Sequence, residues 1–482
     1  MSLPDPVARM DLSEGDRPFA RSSEACGDPE IPPFWQLDQP SDATAVIDAR
    51  SGQAVSYGAL RALADGCAQK WKLPRRTLVF VFAQNDLDSL AAYLAGLRAG
   101  HPVALLSATA PTDSLLAAYA PERVVGTGPF AGYTAIADRL WRRDEPRETP
   151  APHAGLALLL STSGSTGSPK MVRLSGVNLQ ANATAIGSYL GLAATERAPT
   201  TLPLSYSFGL SVVNSHLAVG ATVVLGEFPV VQQDTWLQLA RHGATSFAGV
   251  PLLYQILRRM RYDPRTAPGV RTYTQAGGRL DAETKLWFLD QAEAAGARFF
   301  AMYGQTEATA RISFVPPAQL RAKIDSIGRP IPGGELSVDP AGGELVFRGP
   351  GVMLGYAESP ADLSLGDVQR GVLRTGDLGH VDANGFFYVT GRLKRFLKLA
   401  GLRVSLDELE RRLEIAFACP VACGGQDEAL RVQLEAAVPG AQVFALLREK
   451  FGIAPSLATV HPNARIARLP TGKIDYAALA HG

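Results

Sequence analysis

Short apolar runs alternate with stretches of helical periodicity from residue 43 onward. Residues 43–48 predict a strand and 56–70 a helix. The run 77–82 is apolar throughout its length after Thr77, as in a strand buried on both faces. Residues 86–99 have helical periodicity and stop at Gly100, and 102–106 predict the next strand. Residues 156–160 form another buried run. Helices are predicted over 177–189, 234–241, 252–260 and 282–295, and strands or strand ends over 200–203, 221–225, 245–251, 271–278 and 298–303. Residues 40–310 therefore read as one or two doubly wound α/β units around parallel sheets.

The texture changes near residue 324. Short strands over 335–338, 343–348 and 385–390, separated by Gly, Pro and Asp-Ala-Asn-Gly turns, predict a small antiparallel, β-barrel-like unit. From 392 the chain becomes charged and mixed α+β, with a strand near Leu397, helices over 405–417 and 441–451, and a last strand near Leu457. The expected organisation is a leader over 1–34, a large N-terminal α/β domain over 35–391 with the barrel-like part at about 324–391, and a small α+β C-terminal domain over 392–482.

Composition narrows the function. The 482 residues are 46% hydrophobic and 19% charged, with net charge +1, which disfavours nucleic acid or an anionic membrane surface as a partner. No apolar run reaches the length of a membrane span, and the first thirty-odd residues hold no secretory apolar segment. Cys26, Cys67, Cys419 and Cys423 lack the spacing of a zinc site and read as reduced thiols of a cytoplasmic protein.

The sharpest local signal is Ser161-Thr162-Ser163-Gly164-Ser165-Thr166-Gly167-Ser168-Pro169-Lys170, placed directly after a predicted strand. Small residues let backbone N–H groups and hydroxyls approach an anion, so the stretch reads as a phosphate-gripping loop. A flexible linker is the plainer alternative, but apolar runs flank the stretch. A Walker loop is excluded, because Pro169 separates Lys170 from the small residues and disfavours a helix at Ser168.

Ligands of α/β sheets sit at strand ends. Tyr303-Gly304-Gln305-Thr306-Glu307 combines there an aromatic face, a hydroxyl and a carboxylate suited to Mg²⁺. Thr375-Gly376-Asp377 presents a carboxylate in a predicted turn, and Pro470-Thr471-Gly472-Lys473 presents a lysine on a loop. Taken singly, Glu307 would suit a helix N-terminus, Asp377 an Asx turn and Lys473 plain surface charge.

Together these segments resemble the adenylate-forming superfamily, which includes acyl-CoA synthetases, adenylation domains of peptide synthetases and firefly-type luciferases. The likeness covers roughly residues 40–480 in the family's order. Residues 161–170 are similar to its pyrophosphate loop, Tyr303–Glu307 to its Tyr-Gly-x-Thr-Glu motif, and Thr375-Gly376-Asp377 to its ribose-binding turn. Gly391-Arg392 with Lys394 resembles its hinge, and residues 470–473 its catalytic-lysine loop.

The resemblance implies attack of a carboxylate on the ATP α-phosphate, giving acyl-AMP and pyrophosphate, then transfer to a thiol of CoA or phosphopantetheine. It assigns Lys473 to the carboxylate and α-phosphate, Thr306 to the α-phosphate and Glu307 to Mg²⁺. Ser161 to Gly167 with Lys170 would hold the β- and γ-phosphates. Tyr303, Gly304, Gly277 and Gly278 would line the adenine slot, and Asp377 and Arg392 would bind ribose. The C-terminal domain would be mobile about Lys394, with Gly401 along the thiol tunnel. By position, Tyr206, Ser207, Phe208, Ser211, Asn214, Gly249, Val250, Ala276 and Arg279 would form the acid pocket. No acidic residue lies in 207–216, which disfavours an α-amino acid and favours a plain acyl, hydroxyacyl or aryl acid. His216 reads as structural. Arg279 and Arg311 either bind a polar substrate end or face solvent. Competing readings are an acyl-AMP ligase that loads an acyl carrier protein or an amine, a luciferase-type oxygenation, and a catalytically silent nucleotide-binding protein.

Overall fold

A computed structural model describes residues 32–161, 170–393, 395–469 and 473–481. An eight-stranded sheet has a parallel centre made of Leu156–Ser161, Val103–Ser107, Val79–Ala83 and Arg123–Val125. Both margins are antiparallel: Met171–Ser175 and Gly355–Ala357 on one side, Leu140–Arg143 and Tyr133–Ala137 on the other. The centre is parallel because Leu87–Ala99 is long enough to cross over between strands. Asp86 caps this helix by accepting from the Ser89 N–H at 2.8 Å, and Gly100 ends it with φ +75°.

A second sheet carries the parallel strands Ser246–Gly249, Thr272–Gln275 and Arg298–Tyr303, edged by Ser313–Val315 and Arg329–Pro330. Buried Phe247, Tyr254, Tyr273, Phe288 and Phe299 fill its core. A third sheet joins distant segments: Thr44–Asp48 pairs in parallel with Thr222–Leu225, which the sequence pattern does not reveal.

The predicted barrel-like unit is an open half-barrel of four antiparallel strands, Glu335–Val338, Glu344–Arg348, Val372–Val381 and Phe387–Arg392. The strand Val372–Val381 has no counterpart in the sequence reading, and it corrects the expected setting of Asp377. That residue lies in a strand, opposite Arg392, next to an irregularity in the pairing. Gly376 turns the chain there with φ +74°, and polar Arg374, Thr375 and Asp377 hide the strand's periodicity.

The C-terminal part packs Leu406–Phe417 and Gly440–Phe451 against a sheet of Val421–Gln426, Ala429–Leu434 and Ala458–His461. The first two strands of that sheet were not expected, because Cys423-Gly424-Gly425 reads as a loop. The whole is a mixed α/β chain with a large N-terminal and a smaller C-terminal domain.

Candidate active site

The second sheet delivers two loops to one place. Thr272–Gln275 ends in Ala276-Gly277-Gly278, and the neighbouring Arg298–Tyr303 runs into Gly304–Glu307. Gly277 has φ +86°, and a Cβ there would lie 2.5 Å from the Tyr206 hydroxyl. A Cβ on Gly304 would lie 1.9 Å from the Ala310 carbonyl oxygen. Glycine is required at both because backbone and ring approach so closely.

Tyr303 reaches across to the half-barrel, where its hydroxyl donates to Asp377 Oδ2. Arg392 Nε donates to Asp377 Oδ1 at 2.9 Å. Asp377 is buried, and its own N–H donates to Thr375 Oγ1 at 3.1 Å. Gly376 N–H donates to Glu344 Oε1 at 2.9 Å, which fixes the irregular turn of the strand. Each carboxylate oxygen has two lone pairs, so both retain room for a further donor. Burial and the Asp377 charge push the Tyr303 phenol far above its ordinary pKa, so it stays a donor.

Glu307 is held by Tyr356, whose hydroxyl donates to Oε1 at 2.9 Å. The Lys170 ammonium lies 3.8 Å from the centre of the same Tyr356 ring. Antiparallel pairing of Gly355–Ala357 with Met171–Ser175 brings these groups together. Lys170 and the Glu307 carboxylate thus share Tyr356 as a neighbour. Ser161 is exposed at its strand's end; Thr162, Ser163, Gly164, Ser165, Thr166 and Gly167 lie outside the described residues. Thr306 Oγ1 is 3.1 Å from Ser207 Oγ.

Lys473 arrives from the C-terminal domain. Its carbonyl accepts from the Leu469 N–H at 2.8 Å, and Arg468 bridges antiparallel to Ile474. Its Nζ is 5.9 Å from the centre of the Tyr206 ring. Burial and then the Arg392 cation lower its pKa, while Glu307 and Asp377 oppose the fall. Behind it, Arg395 bonds Glu410 at 2.8 Å and also Asp407, and its guanidinium stacks 3.7 Å from the Tyr476 ring centre. The Tyr476 hydroxyl donates to Glu410 Oε2 at 3.1 Å. This cluster ties the segment after Lys473 to the helix Leu406–Phe417.

Tyr206, Phe208, Val250 and Ala276 belong to one apolar cluster with Tyr189, Phe300 and Met302. Gly249 ends the strand Ser246–Gly249 beside them. Ser207, Ser211 and Asn214 share a helix face that lines a small internal cavity with Asn182 and Thr309. Ser211 Oγ donates to the Phe208 carbonyl at 2.7 Å, and Asn214 Oδ1 accepts from the Tyr93 hydroxyl at 3.3 Å, so both are engaged in the floor. His216 is buried with Nδ1 2.7 Å from the Val212 carbonyl, and burial lowers its pKa, in keeping with a structural role.

Arg279 is exposed, and its charge acts on Glu414 and Lys285 rather than inside the pocket. Arg311 is 2% exposed and stacks 4.0 Å from the centre of the Phe208 ring. Lys394 lies outside the described residues. Gly401 and Ala400, both with positive φ, form the exposed tip of the hairpin Phe396–Leu399/Leu402–Ser405. Sequence reasoning missed Tyr356, Glu344, Glu410 and Tyr476, and gave Arg395 no role. Each is placed by pairing between segments far apart in sequence, and no local signal marks them.

The family model of AMP-binding enzymes matches residues 119–357. The sulfoacetate–CoA ligase of Cupriavidus necator is 30% identical over 411 residues, 77% of this chain and 79% of that protein. The oxalate–CoA ligase of Arabidopsis thaliana is 32% identical over 269 residues, and there the match spans about half of each protein, 53% and 51%. Among solved structures, the o-succinylbenzoate CoA synthetase MenE of Bacillus subtilis with its acyl-adenylate intermediate aligns with a TM-score of 0.74 at 24% identity. That alignment covers 93% of this chain and 98% of that one. ATP-bound MatB of Rhodopseudomonas palustris aligns at TM-score 0.73 and 21% identity, over 92% and 97% of the two chains. The chain belongs to the AMP-binding enzyme family and is an adenylate-forming acid–thiol ligase of the acyl-CoA synthetase type.

Proposed function

We propose that Lys473, Thr306 and Glu307 carry the adenylation step of this ligase. The enzyme condenses a carboxylic acid with ATP to acyl-AMP and pyrophosphate, then transfers the acyl group to the thiol of CoA with release of AMP. In the first step a carboxylate oxygen bonds to the α-phosphorus as the bond to the β-phosphate oxygen breaks. Charge grows on phosphoryl oxygens, so fixed cations and donors govern the rate. Lys473 is the cation that meets both the carboxylate and the α-phosphate. Thr306 donates to the α-phosphate, steadied by Ser207. Ser161 to Gly167 with Lys170 hold the β- and γ-phosphates. Tyr303 with Gly277, Gly278 and Gly304 bounds the adenine, and Asp377 with Arg392 takes the ribose hydroxyls.

Mg²⁺ neutralises phosphate charge in this chemistry. Among the described residues no cluster of three His, Cys, Asp or Glu forms a metal cage. A lone carboxylate oriented by Tyr356, with Lys170 over the same ring, fits an ion held mainly by substrate phosphates. Glu307 is the residue that would hold it.

The observation that carries this reading is the position of Lys473 over Tyr206, within the fields of Glu307 and Asp377. It supports an adenylate-forming arrangement of the two domains. For thiol attack the C-terminal domain turns about Lys394, which withdraws Lys473 and brings Gly401 to the thiol tunnel. CoA is the favoured acceptor, and a carrier protein's phosphopantetheine is the second reading, because its thiol arm is the same. No described helix is long and apolar enough to cross a membrane. We place the enzyme in the cytoplasm, where ATP and reduced thiols coexist.

Purified enzyme with ATP, Mg²⁺ and an acid panel is expected to show acid-dependent ATP–pyrophosphate exchange. Silence with every acid would remove the adenylation claim. The same panel with CoA and with a holo carrier protein identifies the acceptor.

A further inference from the structure

We infer that Arg311 reads the far end of the acid, and that the preferred substrates carry a second oxyanion, a carboxylate or sulfonate, remote from the reacting carboxylate. The inference rests on the ligase reading above and sharpens its substrate class.

Three other enclosed guanidinium groups among the described residues bond carbonyl or carboxylate oxygens. Arg173, fully buried, donates to the carbonyls of Tyr356 at 3.0 Å, Leu354 at 3.2 Å and Gly366 at 3.3 Å. Arg123 donates to the carbonyls of Trp71 at 2.7 Å and Glu122 at 2.8 Å. Arg395 has Glu410. Arg311 is as buried as these, at 2% exposure. Yet among the described residues no carboxylate lies within ion-pair distance of it, and its Nε has no hydrogen-bond partner. Its neighbours are the Phe208 ring, the Tyr189 hydroxyl, which shares a hydrogen bond with the guanidinium but brings no charge, and the Tyr206 ring. Aromatic faces attract a cation but supply no countercharge, and a buried charge without one is costly.

The backbone is built to put the side chain there. Gly304 lets the Ala310–Arg311 backbone pass in contact with it. Thr309 turns with φ +65°, and Asn182 Nδ2 donates to the Arg311 carbonyl at 3.4 Å. The guanidinium then lies against the same aromatic pair that leads to the reacting centre. Lys473 Nζ is 5.9 Å from the Tyr206 ring centre, Tyr206 is 6.3 Å from Phe208, and Arg311 is 4.0 Å from Phe208. Two cations thus bracket two rings set edge to face, Lys473 at the reacting end and Arg311 at the other. An acid with an oxyanion at each end pairs both; a hydrocarbon tail would bury Arg311 further without pairing it.

The test uses the full-length enzyme and acid-dependent ATP–pyrophosphate exchange with matched pairs: butyrate and succinate, benzoate and terephthalate, propionate and 3-sulfopropionate. The wild type is expected to prefer the dianionic member of at least one pair by about tenfold or more in kcat/KM, as a site built around a polar partner does. Arg311→Met is expected to raise KM for that dianion far more than for its plain counterpart, with KM for ATP unmoved, and Arg311→Lys to keep part of the preference. Should Arg311→Met fail to fold by thermal melting with ATP, Arg311→Lys and Arg311→Gln carry the comparison. Equal use of both members of every pair by the wild type, or equal losses on both in the variants, would make Arg311 a packing residue and overturn the inference. Exchange with no acid at all would instead bring down the ligase reading together with it.

Discussion

The ammonium of Lys473 lies 5.9 Å from the centre of the Tyr206 ring, although the two residues belong to different domains. The contact places a lysine of the C-terminal domain against Tyr206. Lys473→Ala is expected to lower acid-dependent exchange by roughly a hundredfold or more, the scale of losing a transition-state charge partner. ATP binding, measured by calorimetry, should change little. The lysine acts protonated, and burial with Arg392 lowers its pKa. Exchange should therefore fall on the alkaline side, below the pH at which an exposed lysine titrates, about 10.4. Arg392→Gln should move that limb upward, and an unmoved limb would assign it to another group.

Tyr303→Phe removes one of the two protein donors on the buried Asp377 carboxylate. A hydrogen bond to a charged group is worth about 1.5–3 kcal/mol, so KM for ATP should rise roughly tenfold or more, with KM for the acid steady. Equal changes in both would detach Asp377 from nucleotide binding.

Tyr356→Phe frees Glu307 to rotate, since the phenol is the side-chain donor that fixes its Oε1. A titration of activity against Mg²⁺ should show half-maximal activity displaced several-fold upward, the usual scale for losing an orienting partner being tenfold or more. An identical Mg²⁺ curve would separate Glu307 from the metal.

Arg395→Met leaves Glu410 buried at 8% exposure without its cation. Breaking a buried pair costs about 3–5 kcal/mol, so the C-terminal domain should melt at lower temperature. Because Tyr476 shares the cluster, adenylation should weaken as well. Unchanged melting would show that the pair adds nothing to this domain.

Lys394→Pro stiffens the chain between the domains. Thioester formation, followed as CoA-dependent AMP release, should suffer more than pyrophosphate exchange. Equal losses in the two half-reactions would move the hinge elsewhere.

Much of the fold was legible because apolar runs and caps are local. The helix Leu87–Ala99 was visible from Asp86, its periodicity and Gly100, and the parallel strands from their unbroken apolar character. The strand Val372–Val381 was hidden because polar Arg374, Thr375 and Asp377 fall close together where a strand signal needs alternation. Cys423-Gly424-Gly425 hid another, since glycine in a strand erases its side-chain pattern. Arg279 and Arg311 look alike in sequence and part company in space: one is exposed beside Glu414, the other buried against Phe208.

The sequence by itself determined the chemistry on offer, because short motifs carry their own residue types and spacings: the Ser/Thr/Gly loop, Tyr303 to Glu307, Asp377 and Lys473. It also determined the order of those helices and strands whose apolar pattern is unbroken, because periodicity acts over a few residues. Which groups meet was decided only by tertiary structure. Tyr303 finds Asp377, Tyr356 finds Glu307, Lys473 finds Tyr206 and Arg311 finds Phe208 through pairing and packing between distant segments. The physical reason is that countercharge, burial and reach are properties of the space around a residue, and no stretch of sequence beside Arg311 states that its guanidinium would be enclosed without an anion.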